Sequence, residues 1–232
     1  MPHSSESAIQ PPNDARHEPG EILRINEIFY SIQGESSYSG LPCVFVRLAE
    51  CNLRCAYCDT EYAFHEWTEM SIPQVVARVE AYKCDLVEIT GGEPLLQSGV
   101  IPLMRRLIES GSRVLLETGG SLDVAPVPSG VTIILDIKTP GSGMQEHNFW
   151  TNLGRLKPTD QVKFVICDRE DYEWARDVIR NHRLEERCPV LISPVYGSDL
   201  AAVAKWMLQD RLKARFQIQL HKWIWGPDVK GV

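Results

Sequence analysis

Short apolar segments alternate with helix-like segments along most of the chain. Seven apolar segments are rich in β-branched residues and carry few charges: 43–50, 86–90, 113–118, 132–137, 161–166, 189–195 and 215–220. Such nearly continuous apolar character is typical of strands that are covered on both faces. We therefore predict a strand in each of these segments.

Four segments between these strands have the periodicity of amphipathic helices. Ser71 precedes a segment in which Val75 and Val79 share one face, and "VIPLMRRLIES" ends just before Gly111. Further along, "DREDYEWARDVIRNHR" and "SDLAAVAKWMLQD" begin with the Asp or Ser residues that favour helix starts. We expect the apolar faces of these helices to pack in the core.

Alternating strands and helices imply parallel strands joined by crossovers, which is the pattern of α/β proteins. About six such units predict an incomplete TIM-type barrel within one domain, residues 21–232. A doubly wound open sheet is the alternative, because periodicity alone does not decide closure. Residues 1–20 are rich in Pro, Ser and charge, and we predict a disordered tail there.

Unusual clusters of residues follow the predicted strands. Cys51 comes after the first strand, and the later strands are followed by "TGGEP", "ETGG", "DIKTP", "ISP" and "LHK". Chemistry in α/β folds belongs at the carboxyl ends of the strands. We therefore expect these clusters to meet on one rim of the barrel.

Composition narrows the class of protein. The net charge is −7 and the basic residues are scattered, which argues against binding duplex nucleic acid. The sequence contains no apolar run long enough for a membrane span and no secretory signal in its first residues, so we expect no membrane partner and a cytoplasmic protein. Four of the seven cysteines are isolated, which argues against a disulfide framework and predicts small buried side chains: Cys43, Cys84, Cys167 and Cys188.

The other three cysteines are grouped in "CNLRCAYCDT" as Cys51, Cys55 and Cys58. Thiolates select zinc and iron–sulfur clusters. Structural zinc requires four ligands, but no second cysteine pair follows, and His65 lacks the spacing of a zinc ligand. A [4Fe–4S] cluster held by three cysteines leaves one iron open to a small-molecule ligand.

This cysteine segment, together with "TGGEP", resembles the signature of the radical S-adenosylmethionine (SAM) superfamily. In that superfamily the open iron binds the amino and carboxylate groups of SAM, and reductive cleavage gives a 5′-deoxyadenosyl radical. The GGE segment binds the SAM amino group, which is consistent with the close backbone approach that glycine allows.

The stretch "NEIFYSIQGESSYSGLPCVFVRLAECNLRCAYCDTEYAF" more closely resembles the 7-carboxy-7-deazaguanine synthase family of that superfamily. The similarity continues through "EITGGEPLLQ", "LLETGGS", "DIKTPGSG" and "QIQLHKWIWG". It implies a lyase that converts 6-carboxy-5,6,7,8-tetrahydropterin to 7-carboxy-7-deazaguanine and ammonia in 7-deazapurine (queuosine-type) biosynthesis. The implied cofactors are a [4Fe–4S] cluster, SAM and Mg²⁺.

The resemblance also assigns roles to residues. It implies cluster ligation by Cys51, Cys55 and Cys58, and Mg²⁺ binding by Thr60. The implied SAM contacts are Tyr57, Asp59, Gly91, Gly92, Glu93, Asp136, Ile137, Lys138 and Gln219. The implied substrate contacts are Ile32, Gln33, Gly34, Glu35, Arg47, Thr90 and His221.

Five of these residues have an ordinary structural alternative. Arg47 would form a structural salt bridge, and Thr60 would cap a helix. Asp136 and Lys138 would form an internal ion pair. His221 would be a core histidine satisfied by one hydrogen bond.

The resemblance further implies a homodimer and a flavodoxin or ferredoxin as reductant. Two rival functions stay open at this point. One is another small radical SAM enzyme, such as an activase that abstracts hydrogen from a glycine of a partner protein. The other is a zinc-stabilised binding module without catalysis.

Overall fold

One sheet of nine strands is the framework of the molecule, which the computed structural model describes from residue 22 to residue 232. The predicted tail, residues 1–20, lies outside the described residues. The strands are β1 (Ile22–Ile32), β2 (Pro42–Leu48), β3 (Thr68–Ser71), β4 (Leu86–Gly91), β5 (Arg113–Thr118), β6 (Thr132–Ile137), β7 (Gln161–Ile166), β8 (Val190–Pro194) and β9 (Arg215–Phe216). The α-helices are α1 (Ile72–Glu80), α2 (Val100–Glu109), α3 (Arg169–Asn181), α4 (Leu200–Asp210) and α5 (Leu220–Trp225).

The strand order is β3-β1-β2-β4-β5-β6-β7-β8-β9. Strand β1 pairs antiparallel with β2 and β3, whereas β2 and all strands from β4 to β9 pair in parallel. Strands β3 and β9 are the two edges, so the sheet is an open barrel. This confirms the predicted α/β fold with an incomplete barrel.

All of the large helices cover the same face of the sheet. Register pairs Ile89 with Leu116 and Leu116 with Ile133, so these residues share that face. Ile89 and Leu116 belong to the apolar cluster that includes α1 and α2, and Ile133 belongs to the cluster that includes α3 and α4. The doubly wound alternative is therefore wrong, because it requires helices on both faces.

The opposite face of the sheet forms the interior of the barrel. Its lower part is apolar and contains Phe45, Leu86, Leu115 and Ile134. Because side chains alternate along a strand, the next inward positions lie closer to the carboxyl ends. Those positions are polar or charged: Arg47, Glu88, Glu117, Asp136 and Lys163. The barrel interior is therefore apolar towards the amino ends of the strands and charged near their carboxyl ends.

Most predicted elements are confirmed to within two residues at each end, and helices α1 to α4 all lie where their periodicity placed them. None of the helices in the described part of the chain is long and apolar enough to cross a membrane.

Three elements were not predicted correctly. Strand β1 was missed because a register shift between Ile25 and Glu27 breaks its alternation, and β3 is only four residues long. The predicted strand 215–220 is wrong after Phe216. There the chain turns, the Leu220 amide donates to the Gly34 carbonyl (2.9 Å), and α5 begins.

Helix α4 provides a test of the predicted caps. The Asp199 carboxylate accepts a hydrogen bond from the Ala202 amide at 3.0 Å. Replacing Asp199 with Ala should lower the free energy of unfolding by about 1 kcal/mol, because an N-terminal amide loses its acceptor. Urea denaturation measures this change. The control is Asp85→Ala, at an exposed residue outside the helices; an equal loss in both variants would contradict the role of the cap.

Candidate active site

A cavity of about 590 Å³ opens at the carboxyl ends of the parallel strands. This volume falls in the range of small-molecule sites. The cavity brings together most of the residues that the sequence singled out: Ile32, Gln33, Gly34, Glu35, Arg47, Cys51, Cys55, Tyr57, Cys58, Asp59, Thr60, Thr90, Gly91, Gly92, Asp136, Lys138, Gln219 and His221. Glu93 and Ile137 are the two predicted site residues that do not line it.

The three grouped cysteines lie on the loop after β2, and all three line the cavity. Burial raises the pKa of the Cys51 and Cys55 thiols, and the positive charge of Lys138 opposes that shift. The three thiols fit an iron–sulfur cluster, which takes one thiolate per iron, so its ligands need not converge on one point. Within residues 22–232, no group of three or more His, Cys, Asp or Glu side chains surrounds a single metal-ion position.

Gly92 brings the loop after β4 against the cysteine loop. A Cβ atom added to Gly92 would lie 2.7 Å from the Cβ of Cys51 and even closer to the Glu50 carbonyl oxygen. The Glu93 amide donates to that same carbonyl at 2.9 Å. Only glycine therefore permits this approach, which holds the GGE segment beside the cysteines.

The Glu93 side chain is buried and forms hydrogen bonds with the protein. It is 1% exposed, and its carboxylate accepts hydrogen bonds from the Thr118 hydroxyl (2.8 Å), the Gly119 amide (2.8 Å) and the Leu95 amide (3.1 Å). Burial raises the pKa of this carboxyl group, and the hydrogen bonds oppose the shift. Glu93 thus ties the loop after β4 to the loop after β5.

Asp136 and Lys138 form the internal ion pair that was one of the two alternatives. Lys138 Nζ lies 2.9 Å from Asp136 Oδ2, and both side chains are buried at the wall of the cavity. Burial alone would lower the pKa of Lys138, but Asp136, together with Tyr57 and Cys55, outweighs burial and raises that pKa above its ordinary value. Ile137, between them, points away from the cavity into the outer apolar core.

Arg47 also forms a structural salt bridge, which was the alternative that the sequence left open for it. Its Nε donates to Glu27 Oε1 at 2.7 Å, and the Tyr62 hydroxyl donates to the same oxygen at 2.9 Å. The Arg47 side chain is 15% exposed and lines the cavity. Since the recorded ion pair uses Nε, the two terminal nitrogens of the guanidinium can face a ligand.

Asp59 and Thr60 follow the last cysteine. Burial alone would raise the pKa of Asp59. The nearby cations outweigh burial and lower that pKa to about 2: Lys222, whose Nζ lies 2.5 Å from Asp59 Oδ2, and more weakly Arg47 and Lys163. Thr60 precedes a short 3-10 helix and makes no side-chain capping bond there. Its hydroxyl donates to Asp59 Oδ1 at 3.3 Å.

The segment after β1 meets the start of α5 across the cavity. The side-chain amide of Gln219 donates through Nε2 to Glu35 Oε1 at 2.9 Å. His221 packs directly on Gly34, where an added Cβ would collide with its imidazole. Burial lowers the pKa of His221, and Glu35 opposes that shift. The turn that replaced the predicted last strand therefore brings Gln219 and His221 over the cavity.

Sequence reasoning missed two buried charges, Glu88 and Lys163. Both lie inside strands that were identified by their apolar character, and both line the cavity. A single charge within a β-branched segment is the signal that would have revealed them, as it did for Arg47.

The role of Glu93 can be tested on the protein without cofactors. Glu93→Gln should lower the free energy of unfolding by about 1–3 kcal/mol, because an amide group replaces one acceptor oxygen opposite buried N–H donors. Urea denaturation measures the change. Glu109→Gln, on the exposed side of α2, is the matched control. Equal stability of the Glu93 variant and the wild type would show that the carboxylate does not join the loops.

Comparison with known proteins agrees with this geometry. A model of the radical SAM superfamily matches residues 47–139. A 7-carboxy-7-deazaguanine synthase from Chlorobaculum tepidum is 49% identical over 214 residues, covering 90% of this chain and 97% of the relative. Another, from Koribacter versatilis, is 46% identical over 226 residues and covers 90% of this chain and 100% of the relative.

The fold comparison gives the same result. The crystal structure of QueE from Escherichia coli matches with a TM-score of 0.73 at 21% identity, covering 86% of this chain and 95% of that chain. At this identity the match shows the fold, whereas the sequence relatives show the family. With nearly full-length relatives at these identities, the chain belongs to the 7-carboxy-7-deazaguanine synthase family of the radical SAM superfamily.

Proposed function

We propose that this protein is a radical SAM lyase that converts 6-carboxy-5,6,7,8-tetrahydropterin to 7-carboxy-7-deazaguanine and ammonia. The observation that carries the proposal is one cavity that combines the three-cysteine loop with a half-buried arginine, Arg47. The family relatives support the same activity by name. The product belongs to 7-deazapurine biosynthesis of the queuosine type.

In this proposal Cys51, Cys55 and Cys58 bind the [4Fe–4S] cluster. Gly91 and Gly92 offer backbone groups close to the cysteine loop, and Glu93 contributes by fixing that backbone. The further SAM contacts are Tyr57, Asp59, Asp136, Ile137, Lys138 and Gln219, with Ile137 acting only through its backbone because its side chain lies in the core. When bound, the cluster and SAM supply a radical that can remove hydrogen from C6 of the pterin.

Arg47 binds the substrate carboxylate. A guanidinium matches a carboxylate in both charge and geometry, and its salt bridge to Glu27 holds it in place. Thr90 is next to Arg47 in the sheet and faces the same cavity. The segment Ile32–Glu35 and His221 complete the pterin pocket from the other side.

Three further features belong to the proposal. Thr60 binds Mg²⁺, which keeps several waters and readily takes substrate oxygens as ligands. A flavodoxin or ferredoxin supplies the electron, and the protein works as a homodimer. We place this activity in the cytoplasm.

The activase alternative requires a partner protein to present a glycine. Arg47, Glu88, Glu117, Asp136 and Lys163 all point into the cavity from successive strands. This concentration of buried charge suits a small polar ring better than a peptide backbone, which has no net charge to neutralise. The zinc-module alternative lacks a four-ligand site in residues 22–232.

Turnover of the pterin by purified, anaerobically reconstituted protein tests the proposal directly. Wild-type protein should release ammonia and form the deazaguanine, measured by chromatography. Cys55→Ala should lose both the bound iron and the activity, because one of the thiolates that bind the cluster is missing. Cys84→Ala, outside the cavity, should retain both. Turnover by the cluster-free Cys55→Ala variant would contradict the proposal. The absence of turnover by iron-loaded wild-type protein would contradict it too.

Arg47 provides a second test. Arg47→Met should weaken pterin binding at least about 100-fold, since a desolvated carboxylate loses its charged partner. Equilibrium titration with SAM present measures the affinity. Arg113→Met, at an exposed position at the start of β5, is the control. Unchanged pterin affinity in the Arg47 variant, with folding confirmed by circular dichroism, would remove Arg47 from the substrate site.

A further inference from the structure

The loop between β1 and β2, residues 33–41, crosses the interior of the barrel and is held at its far side. Four strands separate β1 from β7 in the sheet, so a contact between this loop and β7 passes through the interior. Such a contact exists, because Ser37 forms two hydrogen bonds with Gln161, the first residue of β7. The loop therefore spans the open barrel from one side to the other.

Gln161 directs its whole polar group to this contact. Its side chain is 1% exposed. Its Oε1 accepts from the Ser37 backbone amide at 2.8 Å, and its Nε2 donates to the Ser37 hydroxyl at 2.9 Å. A buried side-chain amide requires partners for both of its polar atoms. Two hydrogen bonds to the same residue fix the loop both in position and in orientation.

Ser37 lies directly after a tight turn of the loop. Ser36 has a left-handed backbone, with φ 64°, and is 2% exposed. A residue other than glycine keeps this conformation only where its surroundings hold it. On the other side of the turn, the Glu35 backbone amide donates to Gln33 Oε1 at 2.9 Å. The hydrogen bonds at Ser37 therefore hold the turn that places Gln33 and Glu35.

The residues placed by this turn belong to the cavity. Gln33, Gly34 and Glu35 line it, and so does Lys163, which follows Gln161 by two positions on β7. Glu35 Oε2 lies 2.9 Å from Lys163 Nζ. Gln161 itself is outside the cavity lining, nearer the amino end of the strand. Strand β7 thus holds the loop at two levels, within the cavity through Lys163 and beneath it through Gln161.

We propose that Gln161 is a positioning residue for the pterin. It touches neither substrate nor cofactor and acts through Ser37 on the segment Ile32–Glu35, which contacts the pterin in the proposed function. The inference rests on that function and adds to it a residue outside the cavity. A residue that only stabilised the fold would not select one ligand, whereas a positioning residue affects the pterin more than SAM.

Gln161→Leu removes both hydrogen bonds and keeps a side chain of similar size. It should raise the KM for the pterin at least about tenfold, because a small displacement of contacting groups is costly. The KM for SAM should stay within about threefold of the wild-type value, since the cysteine loop and the GGE segment follow other strands. Steady-state turnover by anaerobically reconstituted holoenzyme, with each of the two molecules varied in turn, measures both constants.

Gln161→Glu tests whether the hydrogen bonds cause the effect. A neutral carboxyl group has the acceptor and the donor of the amide, and an ionised one accepts from both the amide and the hydroxyl of Ser37. In either protonation state this variant should keep the KM for the pterin within about threefold of the wild-type value.

Tyr172→Phe is the matched control for a lost hydrogen bond at a buried side chain. The Tyr172 hydroxyl donates to Asp210 Oδ2 at 2.9 Å on the helix-covered side of the sheet. This variant should lower the stability in urea, as Gln161→Leu does, but it should leave the KM for the pterin unchanged.

Three outcomes would overturn the inference: an unchanged KM for the pterin in Gln161→Leu, an equal rise of both KM values in that variant, or no restoration by Gln161→Glu. If Gln161→Leu fails to fold, Ser37→Ala decides, because it removes only the hydroxyl partner. It should raise the KM for the pterin about threefold, and an unchanged value would contradict the role of Gln161.

The wild-type protein separates this inference from the proposed function. The absence of pterin turnover by iron-loaded wild-type protein would contradict the proposed function. Wild-type turnover together with an unchanged KM for the pterin in the variants would contradict only the role of Gln161.

Discussion

The two-residue alternation of the parallel strands is the constraint on which the rest of the structure depends. Because all the large helices cover one face, that face is apolar along its whole length. The other face encloses a space that is apolar at the bottom and charged at the top. Successive inward residues such as Phe45 and Arg47 therefore belong to different environments although they share a strand. The alternation creates a polar cavity inside an otherwise apolar scaffold.

Charges buried in this way are stable only when paired. Lys163 neutralises carboxylates from different elements, and Lys138 neutralises Asp136. Glu88 is buried beside these charges, and burial, together with the charge of Glu117, raises the pKa of Glu88 well above its ordinary value. Such networks are costly to assemble and gain little net stability compared with an apolar core. Their position at the carboxyl ends of the strands, around the cavity, suits the proposed binding of a carboxylated heterocycle.

Some residues of the loops line the cavity, whereas others hold the loops in place through hydrogen bonds. The cysteine loop and Gly92 lie at the wall of the cavity, where a cluster and its ligand need access. Glu93 is only one residue further on, yet it faces the protein and joins this loop to the end of β5 through hydrogen bonds from Thr118 and Gly119. Neighbouring residues of one motif thus have separate roles. Glu93 supports the backbone of Gly91 and Gly92, which lines the cavity.

The sequence by itself determined the mainly apolar parallel strands, the four amphipathic helices and the cysteine loop, because each depends on local periodicity or spacing. It also placed Arg47, since one charge stood out in an apolar strand. Only the tertiary structure decided that the helices share one face, that Glu88 and Lys163 meet other buried charges, and that Gln219 and His221 turn over the cavity. These features depend on contacts between residues that lie far apart in the chain, such as Lys163 with Glu35, and local patterns carry no information about such partners.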